Sequence, residues 1–360
     1  MPLKTLSIDR FRNIESARLP LAPRINLFIG ENAAGKTSVL EALFVLARAR
    51  SFRTRNLDKV IRSGEDGFQL VASIGQENKR DMPVGMSRSD KKLIARIDGK
   101  PIKRLSELAT LFPVQWLGGN LHRLIEEGPV FRRRYLDWGL FHVKQSYMSA
   151  WQRFQKLLKQ RNAALRKGRP AQEINAWDLE LAASGEVLHQ LRDSYIAELE
   201  TVVLRVLQEL LDLPGTFRMA YRRGWPADQD YHQALQAGLA KDREQGFTRT
   251  GPQRADLVFF YNDRPVNEQL SRGQLKLLVT ALKVAQAQLL RNAASQTSLF
   301  LMDDLGAELD RSNQLRVMRL LQSIEAQVFV TAISEPAESD WESEQARRFH
   351  VKHGEVSEVL

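Results

Sequence analysis

The chain has 360 residues, 43% hydrophobic and 27% charged, enough for one large domain or two lobes with a sizeable core. It has no cysteine, which excludes disulfides and thiolate metal sites and fits a reducing cytoplasm, and its six histidines show no metal-ligand spacing. Fifty-three basic against 43 acidic residues leave a net charge of +10, a field that favours nucleic acid or an anionic membrane surface, although a merely basic enzyme has the same balance.

The start, "MPLKTLSIDRFRN", lacks the apolar stretch of a secretory signal, and "KTLSIDRF" reads instead as a strand. "RNIESARLPL" and "RINLFIG" predict two more strands, and "SVLEALFVLARAR" has the apolar spacing of a helix. Residues 68–75 and 92–98 alternate as antiparallel strands, with "DGK" at 98–100 as a hairpin turn. From Tyr147 to Leu165 and from Leu188 to Leu210 the apolar residues form two helical stripes, interrupted by "KGRP". Strand signals return in "DLVFFYN", "SLFLMDD" and "QVFVTAI". The order is therefore α/β, then helical, then α/β. No run of 18 apolar residues occurs, so no membrane span is expected.

"GENAAGKTS", Gly30, Glu31, Asn32, Ala33, Ala34, Gly35, Lys36, Thr37 and Ser38, matches G-x-x-x-x-G-K-[ST] between a strand and a helix. The glycines let the backbone N–H groups converge on phosphate oxygens, and the helix start adds a favourable dipole. Lys36 reaches the β- and γ-phosphates, and the Thr37 hydroxyl can ligate Mg²⁺. With no guanine-reading NKxD motif, the nucleotide is taken as ATP. Downstream, "SLFLMDDLGAELD" is an apolar strand ending in Asp303, placed to hold Mg²⁺, and Asp304, placed to polarise the attacking water. Thr331 or Ser334, in "VFVTAIS", is a candidate for a place near the γ-phosphate.

Between loop and acids lies "LSRGQLKLL", with Ser271, Arg272, Gly273 and Gln274 opening a helix. A phosphate loop, a Ser-x-Gly-Gln turn and an acid-ended strand resemble the ABC-type ATPase order. That resemblance implies that the turn covers the γ-phosphate held by a second subunit. The residues also read as a plain helix start capped by Ser271.

With "FRNIE", "GPVFRRRYLD" at 128–137 and "TGPQRADL" at 250–257 added, the whole chain resembles the RecF family, bacterial recombination mediators related to the SMC proteins. The resemblance implies an ABC/SMC-type ATPase head with mixed sheets around a P-loop core, its two parts at 1–139 and 249–360 flanking an inserted helical lobe at 140–248. It implies an ATP-dependent homodimer, binding to double-stranded DNA and single-strand/double-strand junctions, and help in loading RecA with RecR and, functionally, RecO. It further implies that Gln115 in "PVQWL" contacts Mg²⁺ and nucleotide as a Q-loop, and that Asp310 crosses the dimer seam. A lone Gln after a strand is also unremarkable. Gln253 stands where the family often has histidine, no transporter-type switch histidine follows "VFVTAIS", and Asp304 stands where ABC ATPases usually have glutamate. The shorter carboxylate predicts slow hydrolysis. A transporter-type ATPase and an ATP-binding scaffold without useful turnover are the alternatives.

Arg48, Arg50, Arg53 and Arg55 alternate in a manner suited to successive DNA phosphates, or to a solvated loop. Arg161, Arg166, Lys167 and Arg169 cluster near the turn between the helical stripes, the first three as further DNA candidates. Arg132, Arg133 and Arg134 either bind DNA or pair with acids. No base-reading module is present, so binding is expected to follow the phosphates and to depend on salt.

Overall fold

The computed structural model describes residues 2–76, 79–119, 121–211, 214–304, 306, 309–334 and 345–359. The chain divides into two compact units, 1–121 with 290–360, and 122–289. The second is wider than the helical lobe expected at 140–248, because it also takes in the "GPVFRRRYLD" helix and a small sheet.

The first unit begins with β1 (Leu3–Phe11) and β2 (Ile14–Pro20), joined by the tight turn at Arg12 and Asn13. Next come β3 (Ile25–Ile29) and α1 (Lys36–Arg48), separated by the phosphate loop. Then follow β4 (Gly67–Ile74), β5 (Met82–Ser89), β6 (Lys92–Ile97), β7 (Lys100–Pro101), α2 (Ser106–Leu111) and β8 (Val114–Leu117). Strand alternation in β1 and β4 turns Leu6, Ile8, Leu70 and Ala72 inward. The "DGK" hairpin is present: Asp98 and Gly99 have φ of 50° and 74°, the left-handed pair that a two-residue hairpin turn requires.

The second unit contains α3 (Arg123–Glu126), α4 (Pro129–Val143), α5 (Tyr147–Arg166), α6 (Ala171–Asn175) and α7 (Asp178–Leu210). It continues with β9 (Phe217–Arg222), α8 (Tyr231–Gln245), β10 (Asp256–Tyr261), β11 (Arg264–Pro265), α9 (Val266–Gln269) and α10 (Arg272–Ala294). The two helical stripes are α5 and α7, which pack on each other and on α8. The three strands form a small antiparallel sheet in the order β11-β10-β9. Gly139 of α4 lies so close to α7 that an added Cβ would sit 1.9 Å from the Tyr195 hydroxyl.

The chain returns to the first unit with β12 (Leu299–Met302), α11 (Arg311–Ser323), β13 (Gln327–Ala332), β14 (Ala346–Lys352) and β15 (Glu355–Val359). Two six-stranded sheets result, one ordered β2-β1-β4-β5-β6-β7 and the other β15-β14-β3-β13-β12-β8. The first is antiparallel throughout; the second is parallel from β14 to β8. Its inner strands "INLFI", "LFLM" and "QVFVTA" are buried residue after residue because both faces are covered, with Asn26, Gln327 and Thr331 the polar exceptions. Helix α1 packs against β1 and β4 of one sheet and β12 and β13 of the other, so most of its residues are buried. Among the described residues no helix is long and apolar enough to cross a membrane.

Candidate functional site: a phosphate loop and its acidic partner

Strands β3, β12 and β13 run parallel, and their carboxyl ends meet at one edge, where open α/β sheets place ligands. The phosphate loop leaves β3 there. Gly30 has no room for a side chain, since a Cβ would meet the Val351 carbonyl oxygen at 2.1 Å. Gly35 has φ +121°, and a Cβ would lie 2.8 Å from Asn13 Nδ2. Asn13 braces the loop, donating to the Ala34 carbonyl at 3.1 Å and accepting from Ser38 Oγ at 2.9 Å. A second brace is the Gly354 amide, which donates to the same Ala34 carbonyl at 2.8 Å.

Lys36 is buried and donates to the Gly30 and Glu31 carbonyls at 2.6 and 2.8 Å. Burial holds its pKa below the ordinary lysine value, against the opposing pull of Asp304 and Asp303. Thr37 Oγ1 donates to the two Asp303 oxygens at 3.0 and 3.2 Å, and Thr331 Oγ1 donates to Asp303 Oδ1 at 2.8 Å. Asp304 has φ 48°, and its amide donates to Thr331 Oγ1 at 2.8 Å. These groups line a cleft of about 840 Å³ together with Asn32, Ala33 and Ala34. Its volume and concentration of backbone amides suit a nucleoside triphosphate. One carboxylate and one hydroxyl in contact are the hard oxygen ligands with which proteins hold phosphate-bound Mg²⁺. Thr331 lines the cleft, whereas exposed Ser334 does not.

The cleft also contains residues that motif reading did not assign to the site: Arg12, Asn13, Lys59 and Arg62. Arg12 makes a bidentate pair with Glu41 at 2.9 and 2.7 Å and donates to the Lys59 carbonyl at 2.6 Å. Glu41 is fully buried and also accepts from Ser51 Oγ at 2.5 Å. This network fixes the β1–β2 turn against α1 and the segment after it. The available signal was "FRN" itself, an arginine and an asparagine at a strand turn where neither is needed for the pleat.

Other expected site residues lie apart from the cleft. Gln115 is buried within β8 opposite Phe300 and is not among the lining residues. Ser271, Arg272 and Gly273 are exposed at the start of α10 in the second unit. Ser271 caps that helix, its Oγ accepting from the Gln274 amide at 3.3 Å while Gln274 Oε1 accepts from the Ser271 amide at 2.8 Å. Asp310 caps α11, and hydrogen bonds from the Asn313 amide and the Ser312 hydroxyl hold its pKa below the usual carboxylate value. Leu305, Ala307 and Glu308, between Asp304 and Asp310, lie outside the described residues.

The DNA candidates divide. Arg161 is not a surface residue: it is fully buried, bonded to Asp178 and Asp242 at 2.7 Å each and to Thr248 at 2.9 Å. Its helical position faces the α5–α7–α8 packing, so it is withdrawn as a DNA contact. Arg166 and Lys167 are exposed at the end of α5. Arg48 is the last residue of α1 and half-buried, so the four arginines from 48 to 55 do not share one extended segment. Burial and the neighbouring Arg50 push the Arg48 pKa down to about 10. Arg50, Arg53 and Arg55 are exposed, and Arg53 lines the cleft 3.7 Å from Glu41. Arg132 pairs with Asp256 at 2.7 Å, Arg133 donates to the Ala255 carbonyl at 2.7 Å, and Arg134 lies over the Phe131 ring. Gln253 donates to the Thr250 carbonyl at 2.7 Å.

The family described as the RecF/RecN/SMC N terminal domain matches residues 2–356. DNA replication and repair protein RecF of Vibrio vulnificus (strain CMCP6) is 36% identical over 359 residues, covering 99% of this chain and 100% of that protein. The chain belongs to the RecF family. The RecF protein of Pseudomonas aeruginosa (strain LESB58) is 39% identical over 364 residues, covering 100% of this chain and 98% of the relative. The fold agrees: a solved structure described as the recombination mediator RecF with ATP in the RecFOR pathway matches with a TM-score of 0.86 at 23% identity. The match covers 100% of this chain and 98% of that one. The RecF blocks "GPVFRRRYLD" and "TGPQRADL" meet in the second unit through the Arg132–Asp256 pair.

Proposed function

We propose that this chain is an ATP-dependent DNA-binding protein of recombinational repair, working in the cytoplasm. The observation that carries this reading is the meeting of Lys36, Thr37, Asp303 and Thr331 at the carboxyl ends of three parallel strands. In it, the loop amides and the Lys36 ammonium bind the β- and γ-phosphate oxygens. Thr37 and Asp303 hold Mg²⁺, which when bound neutralises developing charge on those oxygens. Asp304 orients and polarises the attacking water. Its carboxylate is one methylene shorter than glutamate, which supports slow hydrolysis that resets the protein.

Head-to-tail dimerisation on ATP is part of the proposal, with Ser271 to Gln274 of one copy covering the γ-phosphate of the other and Asp310 near the seam. Gly273 supports it: a Cβ there would meet nothing within 4 Å, so the chain's own packing does not require glycine. At the exposed start of α10, glycine leaves room for an incoming group to approach the backbone closely. The excess of basic residues supports binding to duplex DNA and to junctions with single strands. Relatives named for DNA replication and repair support that substrate. Cooperation with RecR and RecO in loading RecA completes the proposal. Membership of the RecF family favours it over a transporter ATPase.

Sedimentation of wild type and Ser271→Arg with ATP and duplex DNA tests the dimer. The wild type should dimerise only with ATP. The variant should stay monomeric while each copy still binds nucleotide. Unchanged dimerisation of Ser271→Arg would overturn the trans role of this segment.

A further inference from the structure

The outer face of the antiparallel six-stranded sheet has an unusual surface. One cross-strand row runs Arg18, Ser7, Val71, Gly85, Arg96 from β2 to β6. The rows beside it contribute Ser16, Gln69, Ser87 and Ile94, and Thr5 and Ser73. Arg18, Gln69, Ile94 and Arg96 are exposed, so no helix covers this face. Its centre is short hydroxyl side chains around a glycine, and its margins are cationic. Lys92 lies on the same face of β6 as Arg96. Among the described residues Arg18, Lys92 and Arg96 make no ion pair. The acid on these rows, Asp9, accepts from Ser16 Oγ at 2.8 Å.

Gly85 is the telling residue. It is in the middle of β5, its φ is not in the left-handed region, and a Cβ would find its nearest atoms at 3.8 Å, ordinary contact. The fold would accept a side chain there. Glycine weakens a strand interior, and where the chain does not need it, it marks close approach by another molecule. Gly67 on β4 is the contrast, since a Cβ there would collide with the Arg88 carbonyl oxygen at 2.1 Å.

We infer that this sheet face is a docking surface for the phosphate backbone of double-stranded DNA, seated over Gly85 between Arg18 and the Arg96–Lys92 edge. The inference rests on the DNA-binding reading above and names where the duplex lies. Charge complementarity selects a polyanion. Short hydroxyl side chains around a glycine suit phosphate oxygens, which such groups contact without reading bases. Arg18 and Arg96 are four strand spacings apart, about 19 Å, wider than the about 12 Å major groove, so both backbones of one duplex can be held.

The test is anisotropy of a fluorescent duplex with the full chain, ATP and Mg²⁺, over a range of salt, with thermal unfolding and ATP affinity measured in parallel. Gly85→Val should keep or raise the Tm and leave ATP affinity unchanged, yet weaken duplex binding about tenfold or more by lifting the backbone from the sheet. Arg96→Gln, which leaves the strand intact, should reduce the salt slope of log affinity by about 0.9, one phosphate contact. Wild-type affinity and slope in both variants would overturn the surface while leaving the DNA reading intact. Absence of duplex binding by the wild type would sink the DNA reading itself. If Gly85→Val alters only self-association without DNA, the face is a contact between copies, and the inference is wrong.

Discussion

Lys36 holds its proton less firmly than an ordinary lysine, because its ammonium is buried between loop carbonyls. Only the protonated form attracts phosphate, so raising the pH through the lowered pKa removes the attraction. ATP affinity should therefore begin to fall at a pH below the ordinary lysine range. Lys36→Arg, charged throughout, should show a flat profile there, whatever its absolute affinity. Titration of nucleotide affinity against pH checks this; a wild-type profile flat to the top of the lysine range would contradict it. Asp310 and Ser271 show the other side of single-residue reading. Each cap is sufficient to explain its residue locally, and the proposed role at a dimer seam would add to the cap without replacing it.

The helices of the second unit enclose a buried charge cluster. Arg161 from α5 meets Asp178 at the start of α7 and Asp242 near the end of α8, all essentially without exposure. Replacing Arg161 by alanine leaves two carboxylates buried without their cation. Such a loss typically costs about 3–5 kcal/mol. Urea unfolding should show a shift of that size, and duplex affinity should match wild type under conditions where the variant remains folded. Lost DNA binding in a folded Arg161→Ala protein would restore the surface role that burial excludes. Helix α1 shows the same dependence on neighbours: its buried Glu41 is matched by Arg12 from the strand turn and by Ser51 beyond its own end.

For the molecule as a whole, the cleft-lining residues all come from the first unit, whereas the Ser271–Gln274 segment lies in the second. The dimer proposal makes two chains the unit of function and the ATP-bound dimer a state with a lifetime. Asp304→Asn should bind ATP, dimerise and fail to turn over, so sedimentation should show dimers that persist after wild-type dimers have decayed. The wild type itself should hydrolyse ATP more slowly than about 10 per second, the median of metabolic enzymes. Faster turnover in a steady-state phosphate-release assay, or rapid decay of Asp304→Asn dimers, would contradict this account.

What could be read from the sequence was chemistry confined to consecutive residues. The phosphate loop, the apolar strand ending in Asp303, the "DGK" hairpin and the two long helices each carry their requirement within a few turns or one strand. Their family blocks carry the same information, which is why fold and family were legible together. Tertiary structure decided the rest, since burial and charge pairing depend on partners remote in the chain. Asn13 braces the phosphate loop from the β1–β2 turn, Thr331 reaches Asp303 from the neighbouring strand, and Arg161 turns inward because Asp178 and Asp242 await it. Arginines on a helix all read alike until the opposite faces are known. A glycine in a strand shows whether the fold requires it only once the space around its missing Cβ is known.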